Sequence, residues 1–448
     1  MYNLKNDSFN TYSDLVSSEP IPSLFWGCND NREQNGSLNM LSLFSGCGGM
    51  ALGFEGAFIC HKKSVLGNPD WIFKEINKNW VLLKKNRFRT VFANDILKEA
   101  QLTWTKYMDR FDIEPTIYHF GSIVDFVKLH KQGIKVFPQN VDIVTGGFPC
   151  QDFSVAGKRM GFDSSKSHDG GKRNQDSPSE ETRGKLYYWM KQVIDIVKPK
   201  VFVAENVKGL VSLGDVKDII QNDFASADGN DYIVLTPQVL DAGNFGVPET
   251  RERVIFIGIR KSALLEDALH ALEQEHIPNE YNPYPSPTHN HSANDPTLPY
   301  PVCCADVFEG LVEPDLSNDL SHRTYSKAKY MGRHCQGQSE IDLFGLGPTI
   351  RSEHHGNIEY RRLSKEHGGK IDSELDMGYV ERRLSPRECA LIQTFPPDYP
   401  FVFKKGYSNN YAVSPSGAYR VIGNAVPPLL AYNIARRLQE VWHLYFGE

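Results

Sequence analysis

The stretch TGGFPCQDFSVAG (145–157) presents a cysteine directly after a proline, with glycines before it and polar residues behind it. A free cysteine is usually a small buried hydrophobe. Cys150, held between Pro149 and Gln151 in an exposed turn, reads instead as a nucleophile. The thiolate is the reactive form, so it needs a nearby cation or proton acceptor. Two other stretches offer partners. AENVKGL (204–210) puts Glu205 at the end of an apolar run, where a carboxylate is costly unless paired or functional. Beside a group such as Cys150 it would stay partly protonated, ready to donate; the plainer alternative is a helix N-cap. TRERVIFIGIR (250–260) sets Arg251 and Arg253 at alternate positions, facing one side as a strand begins, or else forming a surface pair. A papain-like protease would need a histidine at a comparable strand end, and no convincing one is found.

A second site opens at LFSGCGGMALGF (43–54), a strand, a glycine turn and a helix. Glycines there let the backbone turn sharply and approach a ligand. Open α/β sheets bind ligands at the carboxyl ends of their strands. Gly46, Gly48 and Ala51 also fit a loose dinucleotide fingerprint, which keeps an NAD oxidoreductase as a rival. Asp95, ending another strand, is the natural partner for ribose hydroxyls, or an N-cap for the helix after it.

These residues must be carried by alternating strands and helices. Strands are expected at 40–44, 90–94, 141–147, 201–206, 232–240 and 253–259. Several are apolar throughout, as parallel strands covered on both faces are. Between them, Leu186, Met190, Val193 and Val197 recur at helical spacing. This is the βαβ rhythm of a doubly wound α/β fold. Residues 1–39 read as an extension and 40–260 as the catalytic domain. Residues 261–380, rich in Pro, His, Asn and Gly, read as a second, loop-rich domain. From Pro428 a proline-opened helix carries Leu430, Ile434, Leu438 and Val441 on one stripe.

Composition narrows the class. No run of about 18 apolar residues occurs, so no membrane span is expected, and the first residues lack the pattern of a secretory signal. A cytoplasmic protein is expected. The eight cysteines contain no CxxC pair, and Cys335 beside His334 matches no common zinc spacing, so no metal is expected. The net charge of −6 hides an asymmetry. Residues 261–321 are acidic, whereas 157–174 and 322–370 are basic and could meet phosphates or simply be solvated surface.

The blocks FSGCGG, GGFPCQDFS, ENV, RERVIFIGIR, RRLSPRECALIQTFPPDY and RVIGNAVPP occur in the order of bacterial DNA (cytosine-5)-methyltransferases, a family this chain resembles over 40–260 and 381–448. The resemblance implies a Rossmann-like S-adenosylmethionine-dependent catalytic domain and a smaller target-recognition domain at 261–380. Residues 381–448 would form a hinge and return to the catalytic domain. It implies that Cys150 attacks C6 of a flipped cytosine, that Glu205 holds N3 and the exocyclic amine, and that Arg253 holds O2 with Arg251 beside it. Asn206 would support the site. C5 then takes the methyl group, leaving S-adenosyl-L-homocysteine. Residues 151–183 would close over the base, with an apparent insertion at 163–182.

By the same resemblance Phe44, Gly46, Cys47 and Gly49 line the cofactor, as do Asp95, Ile96, Gly147, Pro149, Leu186, Asn424 and Ala425. Two departures stand out. Ser122, followed by Ile123, replaces an aspartate that commonly meets the adenine amine. Glu249 replaces a glutamine before the arginines. Duplex DNA is the expected partner of a monomer acting beside a restriction endonuclease. Its expected contacts are Lys158, Arg159, Lys327, Lys329 and Arg333, with Arg351, His354 and Arg361 reading bases or phosphates. The rivals are an RNA cytosine-5 methyltransferase, which shares the fold, and a catalytically silent DNA-binding regulator.

Overall fold

The computed structural model describes residues 36–108, 117–149, 186–352, 356–406 and 408–448. Expectations that fall on Cys150, Gln151, Lys158, Arg159 and His354 lie outside these residues. The order begins β1 (Leu38–Leu43), α1 (Gly49–Glu55), then three short strands β2 (Ile59–His61), β3 (Ile72–Glu75) and β4 (Trp80–Leu83). It continues through β5 (Phe88–Asp95), α2 (Lys98–Met108), β6 (Tyr118–Phe120), α3 (Ile123–Lys131) and β7 (Ile143–Gly147). Then come α4 (Leu186–Val197), β8 (Val201–Val207), α5 (Val216–Ala225), β9 (Tyr232–Val234), β10 (Gln238–Asp241) and β11 (Glu252–Arg260).

One sheet runs β10-β11-β8-β7-β1-β5-β6, with β9 also pairing β11. The pairs from β8 to β6 are parallel, whereas β11 runs antiparallel to β8 and to β10. This is the expected α/β class with a parallel-rich sheet. Apolar content foresaw the burial of β11 but not its direction: a strand covered on both faces reads the same either way. The expected single strand at 232–240 is two, which pair different parts of β11; Pro237, between them, has no N–H for a ladder. The small β2-β4-β3 sheet was not foreseen.

The faces of the sheet are covered by different layers. On one, α9 (Pro428–Phe446) packs against α1, contributing Leu429, Ile434, Leu438 and Trp442 to the core. On the other, α3, α4 and α5 bury Val124, Val127, Met190, Val193, Ile220 and Phe224. The region after β11 has few regular elements, among them α6 (Cys304–Phe308). Strand β12 (Tyr360–Arg362) pairs β13 (Arg382–Arg383) just before α7 (Pro386–Ile392) and α8 (Pro415–Asn424).

Candidate active site

Strand β1 lies between β5 and β7, so the chain leaves it toward one side of the sheet and later returns on the other. The crevice beyond such a switch point is where α/β sheets take ligands. Here it is a cavity of about 280 Å3, lined from β1 by Phe44, Gly46 and Gly49, and from β5 by Asp95 and Ile96. Ser122, Ile123, Leu186 and Gly147 line it too, as do Asn424 and Ala425 at the C-terminal end of α8. Pro149, Glu205, Asn206, Arg251 and Arg253 line the same cavity. The two sets of residues expected from separate stretches therefore share one space.

Asp95 shapes the glycine turn. Its Oδ2 accepts from the Gly46 N–H at 2.9 Å and its Oδ1 from the Leu97 N–H at 2.9 Å. Burial pushes the carboxyl up, and those amides oppose the shift. The N-cap and ligand readings of Asp95 are therefore not exclusive. Ser122 caps α3, its hydroxyl accepting from Val124 N–H at 3.3 Å. Apolar Phe44, Ile96 and Ile123 beside polar Asp95 and Ser122 suit a flat ring carrying hydroxylated sugar, so these residues fit the nucleoside part of S-adenosylmethionine. Cys47 needs correcting. It is absent from the cavity lining, and its buried thiol donates to the Val421 carbonyl at 3.3 Å. Burial pushes that thiol far up, so it is a core residue.

Glu205 sits at the end of β8 and Arg253 at the start of β11. Arg253 faces Val207 across the antiparallel pair, two residues from Glu205, so the two side chains share a face. Arg253 Nε donates to Glu205 Oε1 at 2.8 Å, and each side chain is 10 % exposed. Burial raises the Glu205 carboxyl, with Arg253 and then Arg251 opposing. In β7, parallel to β8, Gly147 stands beside Glu205. A Cβ on Gly147 would lie 2.7 Å from Glu205 Oε2, so only glycine leaves the carboxylate room. Asn206 Nδ2 donates to the Phe148 carbonyl at 3.0 Å, fixing the backbone two residues before position 150.

Arg251 is 1 % exposed, and its guanidinium donates to the carbonyls of Ile350, Gly423 and Ala425 at 3.0, 2.9 and 2.7 Å. It is thus a buried clamp as well as a cavity residue. Arg361, expected at DNA, also needs correcting. It is 8 % exposed and bound by Glu374 through two hydrogen bonds of 2.6 and 3.2 Å, over the Phe308 ring. Its donors already serve the half-buried Glu374 carboxylate and lie 3.7 Å from the buried Glu388, so it is not available to a base or phosphate. Arg351 is half-buried and bonded to Glu359 Oε1 at 2.8 Å. Lys327, Lys329 and Arg333 are exposed and ion-pair with no described residue; Lys327 lies 3.5 Å over the Tyr325 ring. Arg420 was missed: it lines the cavity from α8, one helical turn before Asn424, and that spacing could have found it.

A crevice at the switch point of a parallel-rich sheet, with a buried acid–arginine pair in its lining, marks an α/β enzyme of the nucleotide-ligand type. The family model of C-5 cytosine-specific DNA methylases matches residues 38–440. The chain is 32 % identical over 406 residues to the type II methyltransferase M.BsuRI of Bacillus subtilis, covering 89 % of this chain and 78 % of that one. It is 30 % identical over 414 residues to the type II methyltransferase M.BspRI of Lysinibacillus sphaericus, covering 90 % and 81 %. The solved structure of the S. pombe Dnmt2 methyltransferase aligns at 15 % identity over 90 % of this chain and 98 % of that one, with a TM-score of 0.49. The chain belongs to the C-5 cytosine-specific DNA methylase family and is a DNA cytosine-5 methyltransferase.

Proposed function

We propose that this enzyme methylates C5 of one cytosine within a short duplex DNA sequence, by covalent attack of Cys150 on C6 of a base flipped out of the helix. The observation that carries this is the Glu205–Arg253 pair, 2.8 Å apart inside the cavity that Pro149 also lines, one residue before Cys150. C5 of cytosine is a poor nucleophile. Addition of the Cys150 thiolate to C6 breaks the C5–C6 π bond and moves its electrons toward C5 and N3. Protonated Glu205 donates to N3, and its raised pKa favours that form. Arg253 would hold O2. S-adenosyl-L-methionine, when bound, supplies an electrophilic methyl group and leaves as S-adenosyl-L-homocysteine. Loss of the C5 proton to a base then re-forms the C5–C6 double bond and expels the thiolate. Gln151 follows Cys150 in the sequence, and Asn206 holds the Phe148 carbonyl two residues before it.

Access to C6 and C5 requires the base outside the stack. Lys327, Lys329 and Arg333, with Lys158 and Arg159, would hold the phosphates, whereas Arg351 and His354 are the candidates for base reading. The type II names of the bacterial relatives support a restriction–modification role in the cytoplasm, with a partner endonuclease of the same specificity. The test is transfer of a labelled methyl group from S-adenosyl-L-methionine to unmethylated duplex DNA and, separately, to transfer RNA. 5-Methylcytosine in DNA alone is expected. Transfer to RNA alone, or to neither, contradicts the reading.

A further inference from the structure

Glu249 is fully buried, yet it lies outside the residues lining the cavity. Its Oε1 accepts from the Ile350 N–H at 2.6 Å and from Arg251 Nη1 at 3.4 Å, while its Oε2 has no hydrogen-bond partner among the described residues. Around it, residues 347–350 are stitched to the segment 248–251 that leads into β11. Thr250 N–H donates to the Gly347 carbonyl at 2.8 Å and Gly347 N–H to the Pro248 carbonyl at 2.9 Å. The Thr349 hydroxyl donates to the Thr250 carbonyl. Arg251 then ties Ile350 to Gly423 and Ala425, which flank Asn424 on the cavity wall. The approach is close on that side as well: a Cβ on Gly423 would lie 2.1 Å from the Arg351 carbonyl carbon. Segment 347–352, the Glu249–Arg251 pair and the C-terminal end of α8 form one contiguous body.

We propose that Glu249 is a positioning residue: it seats residues 347–352 and, through Arg251, holds the 423–425 wall, so that one carboxyl sets the geometry of both the DNA-facing segment and the cofactor cavity. The proposal rests on the reading that the cavity takes S-adenosyl-L-methionine and that DNA lies against the region around Arg351. Burial raises the Glu249 carboxyl, with Arg251 opposing. Oε1, the oxygen that accepts both hydrogen bonds, has an equivalent in an amide, which keeps that acceptor without the charge.

The test compares wild type, Glu249→Ala and Glu249→Gln. The readouts are the Kd for S-adenosyl-L-homocysteine, and KM and kcat with an unmethylated duplex carrying the site that the wild type methylates. Glu249→Ala removes the acceptor of the buried Ile350 N–H and the carboxylate beside Arg251 Nη1. It should raise both the Kd and the KM for DNA about tenfold, with kcat at saturation changed less than about threefold. Glu249→Gln should restore both. A merely structural role would lower the melting temperature without moving Kd and KM together. Unchanged Kd or KM in folded Glu249→Ala, or a glutamine variant as impaired as the alanine, overturns the proposal. Should Glu249→Ala not fold, Thr349→Val carries the test. It cuts one stitch of the same segment, and a DNA KM raised about threefold or more supports the proposal while an unchanged one overturns it. Failure of the wild type to bind S-adenosyl-L-homocysteine or to methylate DNA would instead refute the proposed function itself.

Discussion

Arg253 reaches along the face shared by β8 and β11 to Glu205, Nε to Oε1 at 2.8 Å, with both side chains 10 % exposed. An acid in this position is held between two tendencies: burial raises its pKa and the guanidinium lowers it, and the net direction is up. The protonated form, which the proposed mechanism needs at N3, therefore persists to higher pH than for a free glutamate. As pH rises through the raised value the proton is lost, and kcat should fall. Glu205→Gln should lower kcat about 10²- to 10⁴-fold, the usual contribution of general acid catalysis, and abolish that alkaline fall. Single-turnover rates across pH check this; an alkaline limb that persists in the variant assigns it to another group.

Gly147→Ala tests the same pair from the other side. Its methyl group would enter the space of Glu205 Oε2, 2.7 Å away. Misplacement of a reacting group by about 1 Å can cost about 10²-fold. A loss of that order in kcat, with a modest change in melting temperature, is expected. A fully active alanine variant would mean that the carboxylate has another productive position.

Cofactor affinity should depend unequally on Asp95 and Ser122. Asp95→Ala removes an acceptor that also fastens Gly46 and Leu97. Ser122→Ala removes a neutral hydroxyl already engaged with Val124 N–H. Hydrogen bonds to charged groups contribute about 1.5–3 kcal/mol, and neutral ones about 0.5–1.5. Calorimetric titration with S-adenosyl-L-methionine should show the larger loss for Asp95→Ala. Equal or reversed losses would mean that the nucleoside is held differently.

The basic residues of the second region should divide into two groups. Neutralising Lys327, Lys329 and Arg333 together should flatten log K against log salt by roughly one unit for each phosphate no longer neutralised, on cognate and scrambled duplexes alike. An unchanged slope would remove these residues from the DNA face. Arg361→Ala should instead lower stability by about 1.5–3 kcal/mol, because Glu374 loses two charged hydrogen bonds, keeping Arg362, and Glu388 loses a nearby cation. Denaturant unfolding measures that loss, and a change of methylation site in a fully stable Arg361→Ala would contradict it.

Glu388 predicts an acid limit. Burial alone would raise its carboxyl, but Arg382, with two hydrogen bonds of 2.8 and 2.9 Å, and further cations hold it at about 2. The unfolded chain takes up this proton first as pH falls. The contribution is therefore complete above the unfolded value of 4.5 and is lost toward 2. Glu388→Gln should be less stable at neutral pH and show a shallower loss between pH 5 and 3, a range chosen for the experiment about that window. Parallel stability profiles would contradict the assignment.

Those buried arginines mark the limit of what the chain reveals unaided. A run of arginines gives charge, but not partner. Arg361 and Arg362 read as part of a basic stretch, yet together with Arg382 they meet Glu313, Glu374 and Glu388. Arg251 read as a neighbour of Arg253, but its carbonyl partners lie 99, 172 and 174 residues away. The strand ends were more legible. Short apolar runs closed by Gly46, Asp95, Gly147 and Glu205 identify carboxyl ends of strands, and topology brings those ends together. Only burial distinguishes Cys47, which sits in the same glycine turn but points into the core.

Covalent trapping is the most direct test of Cys150 as the nucleophile. Duplex DNA carrying 5-fluorocytosine at the methylated position has no C5 proton to lose, so the enzyme should stall after methyl transfer with a bond from sulfur to C6. Incubation with S-adenosyl-L-methionine, proteolysis and mass spectrometry should give one adduct, on the peptide containing Cys150, and none from Cys150→Ser. An adduct on another cysteine, or one that survives in Cys150→Ser, would contradict the account.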